Sequence, residues 1–135
     1  GLGNTEYRWD VHLNDGLLTD VVAKVGAGDA RMNLGSMNLR SVELNMGAGE
    51  VNMDLRGSPK RSYDVRVNGG VGEATIYLPR TVAIDAQAKG GIGEIDVRGL
   101  EQRGDRWVNP AAENSPVTIR LDVKGGVGQI NIIAE

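Results

Sequence analysis

A short glycine motif recurs five times along this chain, and it constrains the fold more than any other feature. The copies are Lys24-Val-Gly-Ala-Gly-Asp29, Asn45-Met-Gly-Ala-Gly-Glu50, Asn68-Gly-Gly-Val-Gly-Glu73, Lys89-Gly-Gly-Ile-Gly-Glu94 and Lys124-Gly-Gly-Val-Gly-Gln129. Their last glycines, which lie 21, 23, 21 and 35 residues apart, are Gly28, Gly49, Gly72, Gly93 and Gly128. The repeat is therefore about 21 residues long, and the last interval holds one period plus a 14-residue insertion.

Apolar residues alternate with polar residues on both sides of each glycine motif. In the second copy, Val42 and Leu44 precede the glycines, and Val51, Met53 and Leu55 follow them. A period of two is that of a half-buried β-strand, and helical spacing is sustained nowhere in the chain. Each repeat is therefore predicted to be a strand, a glycine turn, a second strand and a return turn.

The repeat predicts how the coils assemble, because a single coil of this kind cannot bury its own apolar side. Stacking gives an all-β, single-domain β-solenoid of about five coils with parallel stacked sheets. An antiparallel β-sandwich is the alternative, but the fixed period favours the solenoid. Within one domain over residues 1–135, we expect an N-terminal cap strand and turn at 1–16, four coils at 17–98, an insertion at 99–116 and the final coil at 117–135.

Composition excludes several classes of function. The 135 residues carry a formal charge of −3 and contain no cysteine and one histidine. The charge is unlike that of a nucleic-acid-binding protein, and without cysteine the chain has no thiol nucleophile and no thiolate metal site. A dinucleotide loop opens a helix, whereas a predicted strand follows each glycine motif here. We predict no enzyme activity, no catalytic residues, no cofactor, no metal and no nucleic-acid partner.

The five final glycines are predicted to be structural turn residues, because a sharp corner requires positive φ or close approach of neighbouring coils. The following residue is acidic in four copies, at Asp29, Glu50, Glu73 and Glu94. Stacking would align these carboxylates in a ladder, which we expect to be solvated because surface charges interact weakly. The alternative function is a small carbohydrate-active hydrolase that uses carboxylates on the solenoid face, since glycosidases work with paired carboxylates.

The insertion at 99–116 contains Trp107, one of two tryptophans, close to Arg103 and Arg106. Trp and Arg are enriched in interface hot spots, and binding residues are common on loops carried by rigid scaffolds. The insertion is therefore either a partner-binding site formed by Trp107, Arg103 and Arg106 or a strap whose Trp107 covers the core. The strap is favoured, because solenoids need their apolar cores covered.

The chain resembles the toast-rack β-solenoid domains over residues 17–133, through the glycine pattern, Leu78-Pro79-Arg80 and the closing stretch 119–132. This family includes the C-terminal domains of LiaF-type stress regulators and bacterial domains labelled as adhesins or of unknown function. The resemblance implies a secreted or periplasmic binding or structural module of the bacterial cell envelope, adhesin-like or related to envelope stress. Expected partners are a protein or another envelope component, with membrane association only through segments absent from this chain. The oligomeric state stays open.

Overall fold

The structure is a computed structural model that describes residues 18–35 and 38–135, so the expected cap at 1–16 lies outside the described residues. The strands are β1 Thr19–Asn33, β2 Leu39–Asp54, β3 Tyr63–Leu78, β4 Ala83–Ile92, β5 Ile95–Arg98, β6 Glu101–Arg103, β7 Arg106–Val108 and β8 Thr118–Ala134. A single 3₁₀ turn covers Pro110–Ala112 in this described part of the chain. The described residues contain no helix long and apolar enough to cross a membrane.

The long strands form five coils, which we number in chain order. Coils 1, 2 and 3 are β1, β2 and β3, coil 4 consists of β4 and β5, and coil 5 is β8. In coils 1, 2, 3 and 5 the strand continues through the glycine motif instead of ending there. The predicted turn is therefore a corner within a continuous strand, because neighbouring coils keep their pairing on both sides of it.

Neighbouring coils pair in parallel with equivalent residues opposite each other. Val42 of coil 2, for example, lies opposite Val21 of coil 1 and Val65 of coil 3. Coil 5 pairs in the same way with coil 3 and with both strands of coil 4. The chain is therefore an all-β solenoid with parallel stacked strands, and the antiparallel sandwich alternative is wrong.

The coils do not stack in chain order. Coil 5 lies between coil 3 and coil 4, which gives the order 1, 2, 3, 5, 4. The chain crosses the place of coil 5 between Leu78 and Ala83, a step of two strand spacings or about 10 Å. The insertion then leads the chain back from coil 4, so the last coil of the sequence lies inside the stack.

One hydrophobic core fills the inside of the stack. Met32, Met53, Ile76 and Ile132 are consecutive register partners, and each is at most 1% exposed. Complete burial of such a side chain contributes roughly 1.5–3 kcal/mol relative to exposure. Repeated rows of this kind hold the coils together and make the stack a rigid support for its surface side chains.

Candidate binding surface at the glycine corner

The five glycine motifs form one edge of the stack, which we call the glycine corner. In stacking order it consists of residues 24–29, 45–50, 68–73, 124–129 and 89–94. Parallel pairing holds the motifs in register, and the amide of Ile130 donates to the carbonyl of Glu94 at 2.9 Å. At a strand spacing of roughly 4.8 Å, the corner is about 20 Å long.

At the corner, the final glycine of each motif lies close to the backbone of a neighbouring coil. Gly28, Gly49, Gly72, Gly93 and Gly128 have φ values between +126° and +138°, in the region that favours glycine. A Cβ added to Gly72 would lie 1.8 Å from the carbonyl oxygen of Gly49, and other residues therefore do not fit there. The backbone therefore turns in a similar way at this glycine in every coil, which sets the positions of the side chains beside it.

A row of apolar side chains follows the corner. Its members, paired in register, are Ala27, Ala48, Val71, Val127 and Ile92. Val71 is 57%, Val127 47% and Ile92 73% exposed. A contiguous line of exposed large apolar residues marks an interaction surface more strongly than scattered ones do. We call these five residues the apolar row.

Polar residues flank the apolar row differently on its two sides. The basic row before it consists of Lys24, Asn45, Asn68, Lys124 and Lys89. The acidic row after it consists of Asp29, Glu50, Glu73, Gln129 and Glu94. The expectation of four adjacent carboxylates was therefore wrong, because the stacking order puts Gln129 between Glu73 and Glu94. This neutral residue separates like charges that would otherwise be neighbours.

The charges of the corner have few partners within the chain. None of its three lysines forms an ion pair with another described residue. In the acidic row, Glu73 accepts a hydrogen bond from Nδ2 of Asn131 at 2.9 Å. Away from the corner, by contrast, Arg40 pairs with Asp20, and Arg56 pairs with both Asp54 and Glu135. The corner therefore presents charges that a partner can use.

Two depressions at the corner lack the paired carboxylates of a glycosidase site. The first is an open depression beside Met46, Gly69 and Gly125, and Glu73 is the one carboxylate in its lining. The second, beside Lys24 and other residues of coils 1–3, has no carboxylate in its lining. A glycosidase needs two carboxylates around its sugar, and neither depression supplies them.

The described residues contain no cluster of three or more acidic or histidine side chains that could hold a metal ion. The acidic row is consistent with this finding, because its carboxylates lie along a line instead of converging on one point. A hard cation such as Ca²⁺ requires six to eight oxygen ligands around it. The acidic row does not bring that many oxygens to one point.

The insertion at 99–116, which we call the strap, lies along the outer edge of coil 4. Its strands β6 and β7 form a hairpin, and β7 pairs antiparallel with β4 at Ala86. Trp107 is half-buried and packs against the core. Arg106 forms an ion pair with Asp85 at 2.7 Å, and Arg103 lies 3.4 Å from Glu113.

Asn109 anchors the strap, although the sequence pattern did not single it out. This side chain is buried, and its Nδ2 donates to the carbonyl oxygens of Arg80 at 2.8 Å and Val82 at 3.1 Å. It thereby ties the strap to the segment that crosses from coil 3 to coil 4. The one feature of the sequence that could have drawn attention to Asn109 was its position directly before Pro110. These contacts favour a strap, and partner binding by Trp107, Arg103 and Arg106 stays a prediction.

The apolar row was also missed, although the motif itself carried the signal. The residue between the last two glycines is Ala, Val or Ile in every copy. Alternation predicted where the buried strand positions lie, but it does not predict which side chains of a corner are exposed. The register of the coils was needed to align Val71, Val127 and Ile92.

Comparisons with known proteins relate the chain to one family and one solved structure. The family described as "N-terminal domain of toast_rack, DUF2154" matches residues 1–77. A structure titled "Crystal structure of a putative cell adhesion protein from Clostridium sporogenes ATCC 15579" matches with a TM-score of 0.88 and 32% identity. The match covers 91% of this chain and 58% of that chain, so the chain spans somewhat more than half of that protein. No curated protein sequence matches the chain.

Proposed function

The chain belongs to the toast-rack family, and from this premise we propose that it is a non-enzymatic binding or structural module of the bacterial cell envelope. The observation that carries the proposal is the glycine corner, where an exposed apolar row lies between charged rows on a rigid stack. The related Clostridium structure, described as "a putative cell adhesion protein", supports an adhesin-like role.

The geometry supports binding in two ways. Val71, Val127 and Ile92 offer apolar area at a place where the backbone cannot easily rearrange. A preformed surface loses little conformational freedom on binding, so more of the contact energy remains as affinity. The flanking lysines and carboxylates can then select a partner by complementary charge.

The proposed location is the cell surface or another compartment outside the cytoplasm. The family resemblance and the description of the Clostridium structure support this location. The partner would be a protein or another envelope component. The whole protein's role is part of the same proposal, because the chain spans 58% of the length of the structure that it matches.

Binding to envelope preparations tests the proposal. The purified chain is sedimented with bacterial cell walls and, separately, with envelope membranes, and the bound fraction is measured. We expect the wild type to bind at least one preparation and the double variant Val71→Ser/Ile92→Ser to bind at least tenfold more weakly. Val22→Ser is the matched control, because Val22 is an exposed valine outside the corner, and it should bind like the wild type.

Two results would contradict the proposal. Equal binding by the wild type and the corner variant would show that the apolar row is not the binding surface. Release of reducing sugar from the same preparations by the purified chain would show that the module is an enzyme, and would support the hydrolase alternative.

A further inference from the structure

At the glycine corner, the basic row and the acidic row lie on opposite sides of the apolar row in the same order in every coil. Each motif begins with Lys or Asn and ends with Asp, Glu or Gln, so basic or amide residues lie on one side of the apolar row in all five coils. Acidic or amide residues lie on the other side. A surface with this pattern is complementary to a surface that has the opposite polarity at the same spacing.

A second copy of the chain has that pattern when it is rotated by 180° about an axis parallel to the stack. The two stacks then run in the same direction, and the basic row of each copy faces the acidic row of the other. Lys24 lies opposite Asp29 of the second copy, and Lys89 lies opposite its Glu94. Symmetry makes each contact occur twice.

The intermediate coils are also compatible with this arrangement. Asn45 and Asn68 face Glu50 and Glu73 of the second copy, as amide donors opposite carboxylates, and Lys124 faces Gln129. The rows next to them, such as Arg66 opposite Thr75, bring no like charges together. An antiparallel arrangement, in contrast, would place Lys24 opposite Lys89 of the second copy, so charge selects the parallel one.

The apolar row lies at the centre of the same contact. Val71 and Val127, which are strongly exposed in the single chain, would each face their own equivalent across the axis. We propose that the glycine corner binds a second copy of this chain in a parallel two-fold dimer. This inference rests on the proposed function, because it names the partner of the same surface.

The dimer should be weak and reversible. A corner about 20 Å long provides an interface near or below the small end of the range for specific complexes, which begins at about 1,200 Å² in total. Copies held on one cell surface would meet at high local concentration, where a weak contact is sufficient. Self-association should therefore be measured at protein concentrations up to about 1 mM.

Charge reversal tests the arrangement. Variant A is Lys24→Glu/Lys89→Glu, which places acidic residues at both ends of both rows, and variant B is Asp29→Lys/Glu94→Lys, which places basic residues at both ends of both rows. All four residues are exposed, so both variants should fold. Sedimentation equilibrium should show a wild-type dimer, dimers at least tenfold weaker for A or B alone, and a restored one-to-one dimer when A and B are mixed.

A matched control distinguishes the effect of charges at the corner from the effect of the net charge of the chain. Lys60→Glu/Arg61→Glu has the same net charge as variant A but lies on the exposed segment between coils 2 and 3. It should dimerise like the wild type. A monomeric wild type, unchanged dimers of A and B, or no gain on mixing them would overturn the inference.

The two proposals fail separately. A wild type that stays monomeric up to 1 mM but binds envelope preparations through Val71 and Ile92 would overturn the dimer and support the proposed function. A wild type that dimerises with the expected charge dependence but binds no preparation would support the dimer and contradict the envelope-binding role.

Discussion

At the glycine corner the coils meet backbone to backbone, whereas in the strap side chains add to the backbone pairing of β7 with β4. The carbonyl of Gly49 leaves no room for a Cβ on Gly72, while Val71 beside it is exposed. In the strap, Trp107 packs against the core, and Asn109 donates two hydrogen bonds to the crossing segment. Side chains at the corner are thus available for a partner, whereas those of the strap stabilise the chain itself.

The same difference is seen in the charges. Arg106 of the strap is paired with Asp85, whereas Lys24 and Lys89 of the corner pair with no described residue. Substitutions at corner side chains should therefore change association and leave stability nearly unchanged. Substitutions at the final glycine of a motif or at the strap should change stability.

The largest expected effect is at a corner glycine. Gly72→Val introduces a β-branched residue at a φ of +138° and places its Cβ against the backbone of coil 2. Backbone strain and overpacking each cost about 1–3 kcal/mol, so we expect the free energy of unfolding to fall by about 3 kcal/mol or more. Urea denaturation measures the change.

Gly69→Ala is the matched control for the corner glycine. This residue lies three positions away, and a Cβ there meets one atom, the carbonyl oxygen of Lys124, at an ordinary 3.9 Å. We expect its stability to stay within about 1 kcal/mol of the wild type. If both variants unfolded at the same urea concentration, backbone contact at the corner would not explain why glycine is required.

The next largest effect is expected at Trp107. Trp107→Ala removes a half-buried ring that packs against the core, and we expect a loss of about 2 kcal/mol, below the 3–5 kcal/mol typical of a fully buried aromatic. Thermal and urea melts measure it, with Arg103→Ala as an exposed control expected within about 0.5 kcal/mol. A Trp107→Ala variant as stable as the wild type would instead favour the partner-binding interpretation of Trp107, Arg103 and Arg106.

The smallest effect concerns an exposed ion pair away from the corner. Hydrogen bonds from Arg40, and then from Ser41, lower the pKa of Asp20 to about 2. A lowered folded-state pKa stabilises the chain above the unfolded value near 4, and this contribution is lost as the pH falls through 2. The stability difference between the wild type and Asp20→Asn should therefore be small at neutral pH and vanish near pH 2.

Asp29→Asn is the comparison from the corner. Asp29 is exposed and forms no ion pair with another described residue. Its substitution should leave the stability at neutral pH unchanged, as measured by thermal melts. A loss of stability in Asp29→Asn would show that this corner charge has a partner within the chain.

The sequence by itself determined that each repeat folds into a coil, because the residues that specify the strands and the corner lie within one repeat. Alternating residues such as Val42, Leu44 and Met53 require one buried face, and the corner requires glycine at positions such as Gly72. The family resemblance followed from the same motif, and the match over residues 1–77 confirms it. The exposed side chains of the proposed binding surface were less predictable, since exposure at a corner depends on the neighbouring coils.

Only the tertiary structure decided which coil lies beside which. The five motifs are nearly interchangeable, so local sequence does not rank one neighbour above another. In the structure, coil 5 puts Leu121 and Val123 into the middle of the core, whereas coil 4 at the end of the stack has the smaller Ala86 and Ala88 at these places. Burial of a large apolar side chain stabilises the fold most where neighbouring coils cover the side chain on both sides. This packing preference arises once all coils are present, because apolar burial depends on what lies above and below each residue.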